Sequence, residues 1–339
     1  MSDKVTITVD AMGGDNAPGV VLDGVARALD SDGALEIILC GPAGVVEPFA
    51  AEHDRCTACV TTEVIAMAEH PANAVRKKKN SSIVVGCRLV KEGTAQGFFS
   101  AGSTGACLAA GTLVMGRIKG IARPALATVI PSPVRPVVMC DIGANADCKP
   151  EYLVQFGQMA SIYAEKIVGI EHPRAALLNI GEEDAKGSQF AQEAHSLLKD
   201  RLPNFAGNAE GGDILSATFD VIVTDGFTGN VCLKTIEGTS KTLFGALKGI
   251  MLSTPLTKLG ALAIKGGLKQ LMARVSPDTY GGAPLLGVKG ALLVGHGSSN
   301  SLAVKNGVLT TASIARAGVS EIIAQTATSV RVSATMEND

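Results

Sequence analysis

At 339 residues the chain is long enough to bury a large core, as one α/β domain or as two lobes. A hydrophobic content of 46% with 39 glycines and only 4% aromatics suits aliphatic parallel strands under helices better than a β-sandwich. The net charge of −2 argues against bulk nucleic-acid binding, and no stretch approaches the roughly 20 apolar residues of a membrane span.

Met1-Ser2-Asp3-Lys4 leads straight into a strand, without a secretory leader, which points to the cytoplasm. Val5 to Val9 is that first strand. Asp10-Ala11-Met12-Gly13-Gly14-Asp15-Asn16-Ala17-Pro18 closes it, before a helix with Val21, Leu22, Val25, Ala26 and Leu29 on one face. Gly13 and Gly14 beside a helix start make a candidate phosphate cradle, with a plain capped turn as the alternative. Neither a dinucleotide fingerprint nor a Walker A motif occurs in the chain. Ile37 to Gly41 is a second strand, and Val60 to Ile65 is expected to be a third. The eight cysteines are scattered, several in apolar runs where a reduced cysteine packs as a small hydrophobe. Cys56-Thr57-Ala58-Cys59 has redox or zinc spacing, but no second pair follows, so no metal or redox role is expected.

Arg76, Lys77, Lys78 and Lys79 lead into a helix carrying Ile83, Val84, Cys87 and Leu89. The cluster reads as a solvated face or as a landing site for an acidic partner. Gly97 to Phe99 is a strand running into Ser100-Ala101-Gly102-Ser103-Thr104-Gly105-Ala106, where hydroxyls and glycine amides suit a phosphate or acyl oxygen. Pro136 to Val138 feeds Met139-Cys140-Asp141-Ile142-Gly143-Ala144-Asn145-Ala146-Asp147-Cys148-Lys149-Pro150, the densest polar joint of the chain. Pro150 opens a helix spaced by Leu153, Phe156, Met159, Ile162 and Ile167. Ala175 to Ile180 is a strand ending in Gly181-Glu182-Glu183-Asp184-Ala185-Lys186-Gly187. Asp220 to Asp225 is another, ending in Gly226-Phe227-Thr228-Gly229-Asn230. Polar, glycine-bearing strand ends repeated in this way predict one shared active-site cleft.

Residues 239–275 break the pattern. No acid stands between Glu237 and Asp278, whereas Lys241, Lys248, Lys258, Lys265, Lys269 and Arg274 alternate with leucines. The stretch reads as a basic amphipathic helical hairpin, with a dimer interface or a core helix pair as alternatives. Gly290 to Val294 is the last strand. It ends in Gly295-His296-Gly297-Ser298-Ser299-Asn300, which sets a lone histidine among glycines and hydroxyls. The expected organisation is a single α/β catalytic domain over residues 1–332 that includes the hairpin, followed by a flexible tail at 333–339.

The runs quoted at Asp10, Ser100, Asp141, Asp225 and His296, with Asn179-Ile180-Gly181-Glu182-Glu183 and Tyr280-Gly281-Gly282-Ala283-Pro284-Leu285-Leu286-Gly287, resemble the bacterial phosphate acyltransferase (PlsX) family of phospholipid synthesis. They span almost the whole chain in the family's order. Two positions depart from the pattern: Ser103 stands where the family commonly has Asn, and Gly212 where it commonly has Arg. The resemblance implies acyl transfer from acyl carrier protein to inorganic phosphate, giving acyl phosphate, without a cofactor. It further implies a three-layer α/β/α, largely parallel sheet, similar to phosphotransacetylases and to isocitrate and isopropylmalate dehydrogenases. A homodimer is implied too, held peripherally on the inner face of the plasma membrane and passing product to a glycerol-3-phosphate acyltransferase.

Such chemistry needs a held phosphate, a polarised thioester carbonyl and a tolerated thiolate leaving group. Lys186, Ser103, Thr104 and glycine amides suit the first, and Asn145, Asn230 and His296 the second. Asp10, Gly13, Gly14, Asp15, Gly105, Asp141, Asp147, Lys149, Glu182, Asp225, Ser298 and Asn300 complete the expected substrate site. Asp141, Glu182 and Asp225 leave a magnesium reading open. Arg76, Lys77, Lys78 and Lys79 are the expected carrier-protein contacts. Lys258, Lys265 and Lys269 share one helical face for anionic headgroups, with Leu262, Leu268 and Leu271 inserting beside them. A dehydrogenase and a non-catalytic membrane scaffold are the rival readings.

Overall fold

The computed structural model describes residues 4–274 and 277–336. The first parallel strands are β1 (Val5–Asp10), β2 (Leu35–Gly41), β3 (Cys56–Val60) and β4 (Gly97–Ser100). Between them lie helices α1 (Gly19–Ser31), α2 (Ala43–Glu52), α3 (Pro71–Lys77) and α4 (Ser82–Lys91). Helix α5 (Thr104–Ala110) runs on as a π-helical turn over Gly111–Met115, before β5 (Ala125–Ile130) and β6 (Val137–Cys140). Then come α6 (Pro150–Tyr163), β7 (Ala175–Leu178), α7 (Gln189–Arg201), β8 (Phe205–Ala209), α8 (Gly211–Ser216) and β9 (Val221–Val223). Two long helices, α9 (Gly226–Met251) and α10 (Pro255–Arg274), precede β10 (Ala283–Leu286), β11 (Ala291–Val294), α11 (Ser301–Arg316) and α12 (Val319–Met336).

The eleven strands found among the described residues join one sheet in the order β3-β2-β1-β4-β11-β10-β5-β6-β9-β7-β8. β10 is antiparallel to both neighbours, and β5 is antiparallel to β6. The parallel group around β1 and β4 therefore runs opposite to the parallel group around β6 and β9. Strands buried on both faces read as unbroken apolar runs, and all four residues of β4 and of β6 are buried. Alternation along β4 sends Phe99 to one core, with Val25 of α1, Phe156 of α6 and Val304 of α11. It sends Phe98 to the other, with Ile83 of α4 and Ala106 of α5. The result is three layers, helices on both faces of a largely parallel sheet.

Several local expectations are corrected. The third strand is Cys56–Val60, upstream of 60–65, and Glu63 makes only an isolated bridge to Ser81. β5, Ala-Leu-Ala-Thr-Val-Ile, escapes the sequence reading because its alanines carry little strand propensity. The helical arm begins at Gly226, so residue 239 lies mid-helix. Its second helix is not amphipathic in the expected way: Leu256, Leu259, Leu262 and Ile264 are all exposed and point around the axis, with Leu262 beside Lys258 and Lys265. Lys269 is exposed and Leu268 half-buried, whereas the side chain of Leu271 lies outside those described. Helix α12 continues to Met336, where a tail from 333 was expected, and residues 337–339 lie outside the described residues. Among the described residues, no helix is long and apolar enough to cross a membrane.

Candidate functional site

At the ends of β1, β4 and β11 the polar joints meet one another. Buried Asp10 accepts from the Ser100 hydroxyl (2.8 Å) and from the Met12 N–H (3.0 Å), and the Ser100 oxygen accepts from the Gly102 N–H (3.0 Å). Burial pushes the Asp10 carboxyl up, against the lowering effect of hydrogen bonds from Ser82, Ser100 and Met12. Gly13 permits this packing, since a Cβ there would stand 2.7 Å from the Gly102 nitrogen. The Asp15 N–H donates to the Gly297 carbonyl (2.8 Å), which ties the first loop to the last. Asp15, Thr104, His296 and Ser298 are exposed around this knot, and Gly14 and Gly105 are partly so. The Ser298 N–H donates to Nδ1 of His296 (3.2 Å), so the neutral ring carries its proton on Nε2. Ser103 and Asn300, expected as substrate contacts, are helix caps: their oxygens accept from the N–H groups of Ala106 and Ala303.

A second group forms where β6 and β9 end. Asp141 is fully buried, and its oxygens accept from the N–H groups of Leu126, Gly143, Ala144 and Asn145 and from the Asn145 side chain, at 2.8–3.1 Å. Burial raises its pKa, and these donors oppose the rise. Asp141 therefore shapes the loop from within it. Asn145 gives one amide hydrogen to Asp141 and the other to the Pro124 carbonyl (2.8 Å each), so its donors are committed, contrary to the expectation of a carbonyl-polarising role.

Helix α9 docks on this loop through two glycines. A Cβ on Gly229 would stand 1.9 Å from the Asp141 carbonyl oxygen, and one on Gly226 would stand 2.6 Å from that of Asn145. Asp225 caps the helix, accepting from the Thr228 N–H (2.8 Å) and hydroxyl (2.7 Å). Exposed Asn230, one turn in, lies over Gly143, whose Cβ would meet its side chain at 3.8 Å. The Cys148 thiol donates to the Asn145 carbonyl, and burial above all pushes its pKa up to about 11. Asp147 and Lys149 are exposed at the mouth of α6.

Lys186 sits at the end of β7, on a loop folded by Asn179, whose amide donates to the Lys186 carbonyl (3.1 Å). Its side chain passes over Gly181, within 3.0 Å of where a Cβ would stand, and it makes no ion pair among the described residues. Glu182 is exposed beside it. His195, not singled out from sequence, holds this loop from beneath: its Nδ1 meets the Asn208 side-chain oxygen (2.8 Å), while the Asn208 amide donates to the Glu183 carbonyl (2.9 Å). Nothing local in the sequence marks it, because the partners are 13 and 25 residues apart.

The polar joints thus fall into groups at the carboxyl ends of oppositely running strands. The reversal comes from β10 and β5. The carboxylates Asp141, Glu182 and Asp225 do not gather, and no group of three or more metal-ligating side chains occurs among the described residues. In the basic cluster Lys78 is bound by Glu69 (2.6 Å) and by the Val64 carbonyl, whereas Arg76, Lys77 and Lys79 are exposed.

A family model described as fatty acid synthesis protein matches residues 5–322. A phosphate acyltransferase of Desulfitobacterium hafniense is 49% identical over 306 residues, covering 89% of this chain and 91% of that protein. One from Halothermothrix orenii is 47% identical over 308 residues, covering 89% and 92%. Among solved structures, a phosphotransacetylase from Streptococcus pyogenes superposes with a TM-score of 0.59 at 16% identity, over 93% of this chain and 95% of that one. A branched-chain phosphotransacylase from Enterococcus faecalis gives 0.57 at 13%, over 92% and 99%. At such identities the likeness is one of fold.

Proposed function

Since the chain belongs to the fatty acid synthesis protein family, among acyltransferases named phosphate acyltransferase, we propose that it transfers an acyl group from acyl carrier protein to inorganic phosphate. Phosphate at neutral pH is already largely ionised, so it needs placement more than deprotonation. A phosphate oxygen attacks the thioester carbonyl carbon, the carbonyl oxygen takes up negative charge, and the C–S bond breaks as the carrier thiolate leaves. The proton of the hydrogen phosphate ends on that thiolate, and acyl phosphate is released. The observation that carries this reading is the presentation of Asn230 by the docked start of α9, beside a loop in which Asp141 and Asn145 are already hydrogen-bonded to one another. Asn230 supplies an amide donor to the developing oxyanion, and Lys186 supplies charge for phosphate. His296, Ser298, Thr104 and Asp15 line the companion group at the other strand ends.

The product feeds glycerophospholipid synthesis through a glycerol-3-phosphate acyltransferase. Arg76, Lys77 and Lys79 receive the carrier protein. The exposed apolar residues of α9 and α10 support a homodimer resting on an anionic membrane surface from the cytoplasmic side, where Lys258, Lys265 and Lys269 meet headgroups and Leu262 inserts. Incubation with acyl carrier protein thioester and phosphate, with hydroxylamine trapping of acyl phosphate, tests the reaction. Free fatty acid in place of hydroxamate, or thioester consumption independent of phosphate, would refute it.

A further inference from the structure

We propose that Cys40 and Cys59 are a peroxide-sensitive thiol pair that closes to a disulfide across the edge of the sheet. Strands β2 and β3 are parallel, and Cys40 and Cys59 are register partners. Side chains of register partners project to the same face, and neighbouring strands lie about 4.7–4.9 Å apart, within the roughly 4.4–6.8 Å between Cα atoms that a disulfide spans. The Cys40 thiol donates to the Ile38 carbonyl at 3.9 Å on its own strand, a long and weak bond that leaves its sulfur available to a neighbour. Cys40 is fully buried, while Cys59 is half-buried on the outermost strand and open to a small oxidant.

The Cys56-x-x-Cys59 spacing does not supply the partner. Positions three apart on a strand face opposite ways, and Cys56 is buried with its thiol pushed up to about 11. Among the cysteines with a resolved shift, Cys59 alone is lowered, chiefly by the neighbouring Cys40 side chain and further by the nearby Arg88 guanidinium, against the effect of burial. Burial raises Cys87, Cys107, Cys140, Cys148 and Cys232. One partly exposed thiol thus stands beside one buried register partner, the arrangement of an attacking and a resolving cysteine.

The chemistry balances with hydrogen peroxide as oxidant. The Cys59 thiolate attacks one peroxide oxygen, the O–O bond breaks and hydroxide leaves, giving a sulfenic acid. Cys40 sulfur then attacks the Cys59 sulfur, the S–O bond breaks and water departs with the Cys40 proton. Two thiols lose two electrons and peroxide becomes two waters. The link would form at the root of the first polar loop: Cys40 pairs in register with Asp10, and its carbonyl accepts from the Ala11 N–H at 2.9 Å.

The test treats the intact protein with hydrogen peroxide, alkylates remaining thiols under denaturing conditions and maps peptides by mass spectrometry. The expected result is a Cys40–Cys59 linked peptide, loss of two alkylatable thiols and full reversal by dithiothreitol. Cys40→Ala should stop at a Cys59 sulfenic acid captured by dimedone, and Cys59→Ser should give no linked peptide. If Cys40→Ala does not fold, the wild-type map and Cys59→Ser decide. A Cys56–Cys59 link, a persistent sulfenic acid in the wild type, or Cys59 oxidation no faster than that of the other cysteines would overturn the proposal.

Discussion

The two ends of α9 obey different rules. At its start, Gly226 and Gly229 are the only buried residues of a 26-residue helix, pressed against the carbonyls of Asn145 and Asp141. Beyond, a Cβ at Gly238, Gly245 or Gly249, or in α10 at Gly260, Gly266 or Gly267, would meet nothing within 4 Å. Leu243, Ile250, Leu256 and Leu262 are instead 65–79% exposed. The first region has one solution, set by backbone contact. The second exposes large apolar side chains between its cations, the mark of a surface that meets a partner or a membrane.

The largest effect should come from Gly229→Ala, because the new methyl meets a backbone oxygen that cannot rotate away. We expect a loss of stability at or above the roughly 1–3 kcal/mol typical of overpacking, read by thermal unfolding, with acyl phosphate synthesis falling in parallel. Gly245→Ala in the same helix should be neutral or stabilising by up to about 1 kcal/mol, from helix propensity alone. Equal behaviour of the two variants would erase the contrast.

Lys186→Ala should lower turnover at least tenfold, about 1.4 kcal/mol of transition-state stabilisation, with the unfolding temperature unchanged because the side chain is exposed and makes no ion pair among the described residues. A fall in KM alone, or no change, would remove it from the site.

Leu262→Glu tests the other region. Sedimentation with anionic vesicles should be lost in the variant, and wild-type binding should weaken as salt rises. Sedimentation of the variant at wild-type level would leave the arm as a protein interface only.

Cys148→Ser should change turnover the least, by no more than about twofold. With its thiol near 11, the thiolate at neutral pH is on the order of one part in ten thousand, too little for a covalent nucleophile. An acyl-enzyme on Cys148 seen by intact mass would contradict this.

The contrast also explains what was legible in the sequence. The strand-end motifs at Asp10, Ser100, Asp141, Asp225 and His296 were readable because each is a local run of glycine and polar residues. Roles inside those runs were not. Asp141 and Asn145 look like substrate ligands in one dimension, but they satisfy N–H and carbonyl groups of Leu126 and Pro124 across an antiparallel neighbour. Lys78 looked free until Glu69, nine residues away, took it. The division of the joints into oppositely running groups depends on β10, which follows β9 in the chain only after two long helices. No periodicity announces such an insertion. Cys59 was noticed for the wrong partner, because the register that pairs it with Cys40 belongs to the sheet and not to the spacing.

The most direct measurement of the central claim is the initial rate of acyl phosphate formation, without membranes, for Asn230→Ala and Leu262→Glu side by side. Chemistry seated at the docked start of α9 predicts at least a tenfold loss for Asn230→Ala and a wild-type rate for Leu262→Glu. A wild-type rate for Asn230→Ala together with a collapsed rate for Leu262→Glu would place the chemistry on the exposed arm and contradict the account.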